Sequence, residues 1–265
     1  GIDMATSNFS RVIGPLGAGA FLATIGVQAA YFSGAVLFGM GAILAFSMPY
    51  VVSPLQGTGA SLGYFANLSA GLRHVRADRI IFVTIIITMV MNLFAFPYQH
   101  MVPVIGAETL EIGPLLVGII LATEGLGATM GSLMIAVKAR PSGYTRVYAT
   151  GSIGFLTAIL LFSLSPSFWM VLPIMVIGGF SMSGFATMQS IIVITSAPIE
   201  IRGRVLGVLA AAIGTGPFGA LIVGSLAVIW GANNAVTAIA VTGLMLTTLT
   251  LMVWPAFLRN AGNSD

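Results

Sequence analysis

The chain has 265 residues, 57% of them hydrophobic and only 6% charged, with a formal net charge of +3 and no cysteine. Soluble domains carry about 25% charged residues, so a water-facing globule is excluded, as are disulfides and thiolate metal sites. Ten Lys and Arg spread along such a chain are too sparse for a phosphate-tracking surface, which excludes a nucleic-acid binder.

The apolar residues come in blocks of roughly twenty, the length that crosses a hydrocarbon core about 30 Å thick at 1.5 Å per residue. In lipid every backbone polar group needs an internal partner, so each block is predicted to be a helix. About eight spans are expected from hydropathy, over 10–27, 30–48, 80–100, 114–137, 144–164, 168–195, 203–228 and 233–257. "FSMPY", "SLSPS" and "WGANN" punctuate the joints. The fold class is an all-α polytopic membrane helix bundle.

The first span contains "RVIGPLGAGAFLATIG". Ser10, Gly14, Ala18 and Gly19 give it a face of small residues that another helix can approach closely. Pro15 removes one backbone donor and is expected to bend the helix near its cytoplasmic end. Residues 50–79 then form a long, mixed connection. Its first part is Gly/Ser-rich and expected to be irregular. Its second part carries Leu62, Phe65, Leu68, Leu72 and Val75 at spacings of three and four, an amphipathic stripe with arginines beside it. Such a helix is expected on the membrane surface or against the helix ends.

The third span carries Asn92 at mid-depth and ends in Pro97, Gln99 and His100; the fourth carries Glu124, in "LATEGLGATMG". A charge at the bilayer centre costs at least about 2.5 kcal/mol, so Glu124 is expected to face the bundle interior or water. There it is a candidate to bind a proton or a cationic solute; the alternative is a carboxyl hydrogen-bonded to a neighbouring helix. The sixth span holds Pro173 and Gln189. Asn92, Gln99 and Gln189 suit either helix–helix hydrogen bonds or the few polar groups of a pocket. Phe94, Phe96, Phe155, Phe180 and Phe185 could line such a pocket, although aromatic residues in spans more often face lipid. "GPFGAL" in the seventh span echoes the "GPLGAG" of the first, a weak sign of repeated halves.

The charges test the count. Arg11, Arg73, Arg76, Arg79, Lys138, Arg140, Arg146, Arg202, Arg204 and Arg259 all fall on one face of eight alternating crossings. The opposite loops carry Glu108 and Glu111 and no Lys or Arg. The positive-inside rule names the basic face cytoplasmic, with both ends of the chain inside. Topology accounts for Arg11, Arg202 and Arg204; a gate built on carboxylate pairs is the alternative, with Glu200 the nearest acid.

The first span resembles the helix-five signature of major facilitator superfamily antiporters, Gly-x-x-x-Gly-Pro-x-x-Gly-Gly, here Ser10, Gly14-Pro15 and Ala18-Gly19. "APIEIRGRVLG" and "AGLRHVRADR" resemble the loops ahead of helices eleven and seven in the drug- and siderophore-exporting branch. The resemblance covers essentially the whole chain. It implies that residues 1–49 are the last two helices of an N-terminal bundle, 50–79 the cytoplasmic loop between halves, and 80–265 a six-helix C-terminal bundle. It further implies that about four N-terminal helices are missing, so that the fragment would not transport alone. The implied function is proton-coupled efflux of a hydrophobic or amphiphilic small molecule across the cell membrane, by rocking of two halves around a central site. The implied partners are the lipid bilayer, the solute, protons and the absent helices; no cofactor is called for.

Two other classes stay open. A polytopic acyl or prenyl transferase would need acidic or His-bearing motifs, and "HVRAD" places His and Asp one residue short of the acyltransferase spacing. The membrane subunit of an ATPase-driven transporter is compatible with the composition, although no P-loop is present.

Overall fold

The structure is a computed structural model that describes residues 2–47 and 64–259, with side chains for residues 10, 12–47 and 71–258. The irregular half of the long connection lies outside the described residues, as do the side chains of Arg11, Leu62, Phe65, Leu68 and Arg259. All regular structure among the described residues is helical. The helices are α1 (Ile2–Thr24), α2 (Val27–Ser47), α3 (Tyr64–Ala77), α4 (Arg79–Phe94), α5 (Val102–Glu108), α6 (Pro114–Lys138), α7 (Tyr144–Ser163), α8 (Phe168–Ser196), α9 (Arg202–Ile213), α10 (Gly216–Trp230), α11 (Ala232–Val253) and α12 (Ala256–Arg259). Short 3-10 turns, Phe96–His100 and Pro141–Gly143, follow α4 and precede α7.

Among the described residues, seven segments are long and apolar enough to cross a membrane, and α1 adds the shorter apolar stretch Val12–Thr24. The chain is therefore a multi-pass membrane bundle. Expected spans 114–137 and 168–195 emerge as α6 and α8 almost to the residue. Two spans are interrupted. The third breaks after Phe94, because Pro97 has no N–H to continue the ladder, and finishes as a 3-10 turn. The seventh breaks between α9 and α10 at Gly214 and Thr215, whose hydroxyl turns back to the Ala212 carbonyl at 2.8 Å. Pro217 sits in the first turn of α10, where a missing N–H is harmless. Pro15, by contrast, lies inside a helix that already begins at Ile2. It is past the midpoint of α1 rather than near an end, which corrects the expectation drawn from a span starting at residue 10.

Small residues set the packing. α8 lies between α6 and α7. A Cβ on Gly151 of α7 would come within 2.6 Å of the Ser181 carbonyl of α8, and one on Gly184 within 3.0 Å of the Val147 carbonyl of α7. Gly127 and Gly179 face the backbones of Val176 and Glu124 in the same way. These helices thus meet backbone to backbone. α11 packs on α7, α4 and α10, and α4 on α9 and α8. The main core, including Ile87, Met91, Tyr98, Phe155, Phe162 and Met182, fills the interior of this set. α1 docks on α6, while α2 packs on α1 and has no buried residue.

Contacts gather the basic residues at one end. Asp78 caps α4, accepting from the Ile80 and Ile81 amides at 2.8 and 3.0 Å. Phe82 of α4 meets Trp254 with ring centroids 5.6 Å apart, and Arg146 donates to the Leu258 carbonyl at 3.0 Å. Gly71 of α3 lies against the Arg204 carbonyl of α9. At the other end Thr109 donates to Asn233 at 2.6 Å, and Asn233 donates to the Ser163 carbonyl at 2.9 Å. α3 is helical as expected and packs against α9 and α4.

Candidate functional site

The polar centre of the bundle is built around Glu124. α6 carries it inward because Gly127 of α6 and Gly179 of α8 let the two backbones meet closely at Glu124 and Ala128, and the residue is 4% exposed. The 3-10 turn after α4 delivers its partners. Pro97 ends the helix and twists the chain so that Tyr98 donates its phenol hydrogen to Glu124 Oε2, while Gln99 Nε2 reaches Oε1 at 3.4 Å. Tyr98 is fully buried between Phe155 and Phe162, both edge-on at 5.9 Å, with Met175 Sδ 3.9 Å from its hydroxyl. Its ring is locked by packing and its hydroxyl is aimed at the carboxyl.

Glu124 opens onto a cavity of about 320 Å³ lined by Pro15, Phe96, Gln99, Leu121, Glu124, Gly125 and Met182. Phe96 is backed by Phe155 and Phe185 at 5.6 and 5.8 Å. A second cavity of about 250 Å³ adjoins it, sharing Pro15 and Leu121, and is walled by Ala18, Leu22, Pro103, Ala107, Ile112 and Val117. Its lining is almost wholly apolar. Both lie along the seam between α1 and α6, one beside the carboxyl and the other towards α5.

The seam has a specific geometry. A Cβ on Gly118 would come 2.6 Å from the Pro15 carbonyl, and one on Gly19 would come 2.8 Å from the Pro114 carbonyl. Gly19 and Gly118 therefore let the two backbones touch at one level, and the cavities open beside that contact. Of the expected small-residue face, Gly19 is buried at the contact and Ala18 lines the apolar cavity. Gly14 has nothing within 4 Å of an added Cβ, and Ser10 is exposed. The touching pair is Pro15 and Gly19, one residue round the helix from Ser10 and Gly14.

The other sequence candidates gather elsewhere. Asn92 donates to the Thr88 carbonyl of its own helix at 2.9 Å. Thr88 Oγ1 lies 2.9 Å from the Tyr148 hydroxyl and 3.5 Å from Gln189 Oε1, and Tyr148 donates to the Thr84 carbonyl at 2.9 Å. This second cluster joins α4, α7 and α8 by hydrogen bonds. Arg202 reaches the Ala197 carbonyl at 3.4 Å, and the Arg204 carbonyl lies 2.7 Å from where a Cβ on Gly71 would sit. Phe155 and Phe185 are buried inside the bundle rather than facing lipid, whereas Phe180 is 37% exposed. Tyr98 was not legible as a site residue: beside Pro97 and a polar pair at the end of a span, it reads as an interfacial aromatic.

Comparison with known families now separates the possibilities. A model of the transmembrane secretion effector family matches residues 3–261. The chain belongs to this family, within the major facilitator superfamily. It is also similar to the multidrug efflux pump Tap of Mycolicibacterium fortuitum, with 27% identity over 250 residues, covering 91% of this chain and 59% of that protein. The chain thus spans about three fifths of the length of this relative.

Proposed function

We propose that the chain forms part of a secondary active exporter that moves hydrophobic or amphiphilic small molecules across the cell membrane in exchange for protons. In this reading α1 and α2 belong to one bundle and α4–α11 to the other, the basic end is cytoplasmic, and further N-terminal helices complete the first bundle. The two halves rock about the α1–α6 seam in alternating access. The similarity to a multidrug efflux pump supports the direction of transport and the breadth of solutes.

The observation that carries the proposal is the buried carboxyl of Glu124 lining a cavity whose opposite wall is Pro15 of α1. A proton or a solute cation bound at Glu124 therefore sits where the two halves meet. Tyr98 and Gln99 both donate to the carboxyl. Protonation turns one acceptor oxygen into a hydroxyl, which cannot accept as before, so the wall of the cavity responds to proton binding. The adjoining apolar cavity accepts the hydrophobic part of the solute.

The test is export of a fluorescent amphiphilic dye into inverted membrane vesicles by the exporter with its first bundle complete. Wild-type flux should collapse with a protonophore and survive ATP depletion while the proton gradient is held. Glu124→Gln should lower gradient-driven flux by at least roughly tenfold, the scale of losing an interaction worth about 1.4 kcal/mol. Unchanged flux in Glu124→Gln would remove the carboxyl from the mechanism. Dependence on ATP with the gradient intact would point to an ATPase-driven subunit.

A further inference from the structure

The basic end of the bundle holds a second feature, remote from the Glu124 cavity in its chemistry. α3 packs on the first turns of α9, with Gly71 against the Arg204 carbonyl and Val208, and Val75 buried beside Val205 and Leu209. That docking brings α3, which carries the exposed Arg73 and Arg76 and the half-buried His74, onto the turn of α9 that carries Arg202 and Arg204, with Arg79 opening α4 alongside. The nearby carboxylates do not pair with them directly. Asp78 is engaged in capping α4, and Glu200 is exposed two residues before Arg202. Among the described residues none of these cations forms an ion pair with a carboxylate. Two polar atoms are also buried without a hydrogen-bond partner, Arg202 Nε and His74 Nε2. A guanidinium N–H is an obligate donor, and leaving one buried and unpaired costs about 1–3 kcal/mol.

We infer that the α3–α9 seam is a binding site for the phosphate headgroup of an anionic phospholipid, held by Arg202 and Arg204 with the basic residues of α3. A phosphodiester supplies the acceptor oxygen that the Arg202 Nε–H lacks and a negative charge for the arginines. A lipid fits better than a free anion because the seam lies where α4 and α9, both parts of membrane-spanning segments, meet an amphipathic helix. Leu72, 39% exposed next to Arg73, offers apolar surface for an acyl chain. Basic clusters at the ends of spans attract anionic headgroups at roughly 1 kcal/mol for each Lys or Arg.

The experiment titrates the detergent-solubilised chain with short-chain phosphatidylglycerol, phosphatidylcholine or inorganic phosphate and follows heat of binding. Phosphatidylglycerol should bind about tenfold more tightly than phosphatidylcholine, and inorganic phosphate should not compete at the same concentration. The double variant Arg202→Gln with Arg204→Gln should weaken phosphatidylglycerol binding by roughly tenfold, while Lys138→Gln with Arg140→Gln, equal in charge removed, should change it less than about twofold. Arg202→Lys keeps the charge but deletes Nε, and should also weaken binding by about threefold. Equal affinity for the two lipids, competition by inorganic phosphate, or equal loss in both double variants would each overturn the site. Should the arginine double variant fail to fold, the wild-type lipid comparison and Arg202→Lys decide the matter.

Discussion

α6 makes two helix contacts with the same device and opposite results. Towards α8, Gly127 and Gly131 of α6 and Gly179 of α8 close the interface along its length, and Phe155, Met175 and Met182 fill what remains. Towards α1, the helices also pack along much of their length with Gly19 and Gly118 at the closest approach, but cavities of about 320 and 250 Å³ open along the same seam. Glycine in a membrane helix therefore does not by itself mean a rigid joint. A seam filled by side chains welds two helices, whereas one with cavities beside its closest approach leaves a pivot with room to move.

Substitutions separate the two seams. Gly179→Leu should have the largest effect, more than about 3 kcal/mol, because its side chain would meet the Glu124 backbone rather than a movable side chain. Thermal unfolding in detergent should show loss of the cooperative transition. Gly118→Leu should cost up to about 3 kcal/mol but leave the α4–α11 core folded, since the clash falls on the Pro15 carbonyl of α1. Limited proteolysis should then release α1 and α2 before the core is cut. A Gly118 variant that melts like Gly179→Leu would erase the distinction between weld and pivot.

Tyr98→Phe keeps the buried ring between Phe155 and Phe162 and removes only the donor to Glu124. The expected loss is about 1.5 kcal/mol in stability, the scale of a hydrogen bond to a charged group, with a clear change in dye affinity. The smallest effect is Gly14→Ala. With nothing within 4 Å of the new Cβ, it should stabilise α1 by about 0.5–1 kcal/mol and leave transport unchanged. A large loss there would mean that the Gly14 face, and not only Pro15 and Gly19, makes a contact that transport requires.

Much of this fold is legible in the sequence, because lipid imposes a simple rule. Apolar runs of about twenty residues must be helices, and Pro, Gly and Ser mark their ends, so α6 and α8 were readable directly. Glu124 was legible for a related reason, as a charge where charges are expensive. The interruptions were less so. Pro97 reads as an ordinary residue near the end of its span and Pro217 lies within one, yet the first redirects Tyr98 and Gln99 onto Glu124 and the second merely starts α10. The echo between "GPLG" and "GPFG" does not extend to their packing. A Cβ on Gly219 would meet the Leu93 carbonyl at 2.5 Å, while one on Gly17 would meet nothing within 4 Å. The cavities arise from residues about a hundred positions apart, Pro15 with Leu121 and Glu124, and no local pattern announces such a meeting.

The central claim is that the α1–α6 seam is where solute binds. These 265 residues hold no cysteine, so Leu121→Cys, in an exporter otherwise freed of cysteine, introduces one thiol on the wall shared by both cavities. The deciding measurement is its rate of reaction with a small maleimide in vesicles, with and without a transported dye. The account predicts a reactive thiol that the dye protects by at least roughly fivefold, and protection that disappears in Glu124→Gln. A reactive thiol indifferent to the dye would contradict it.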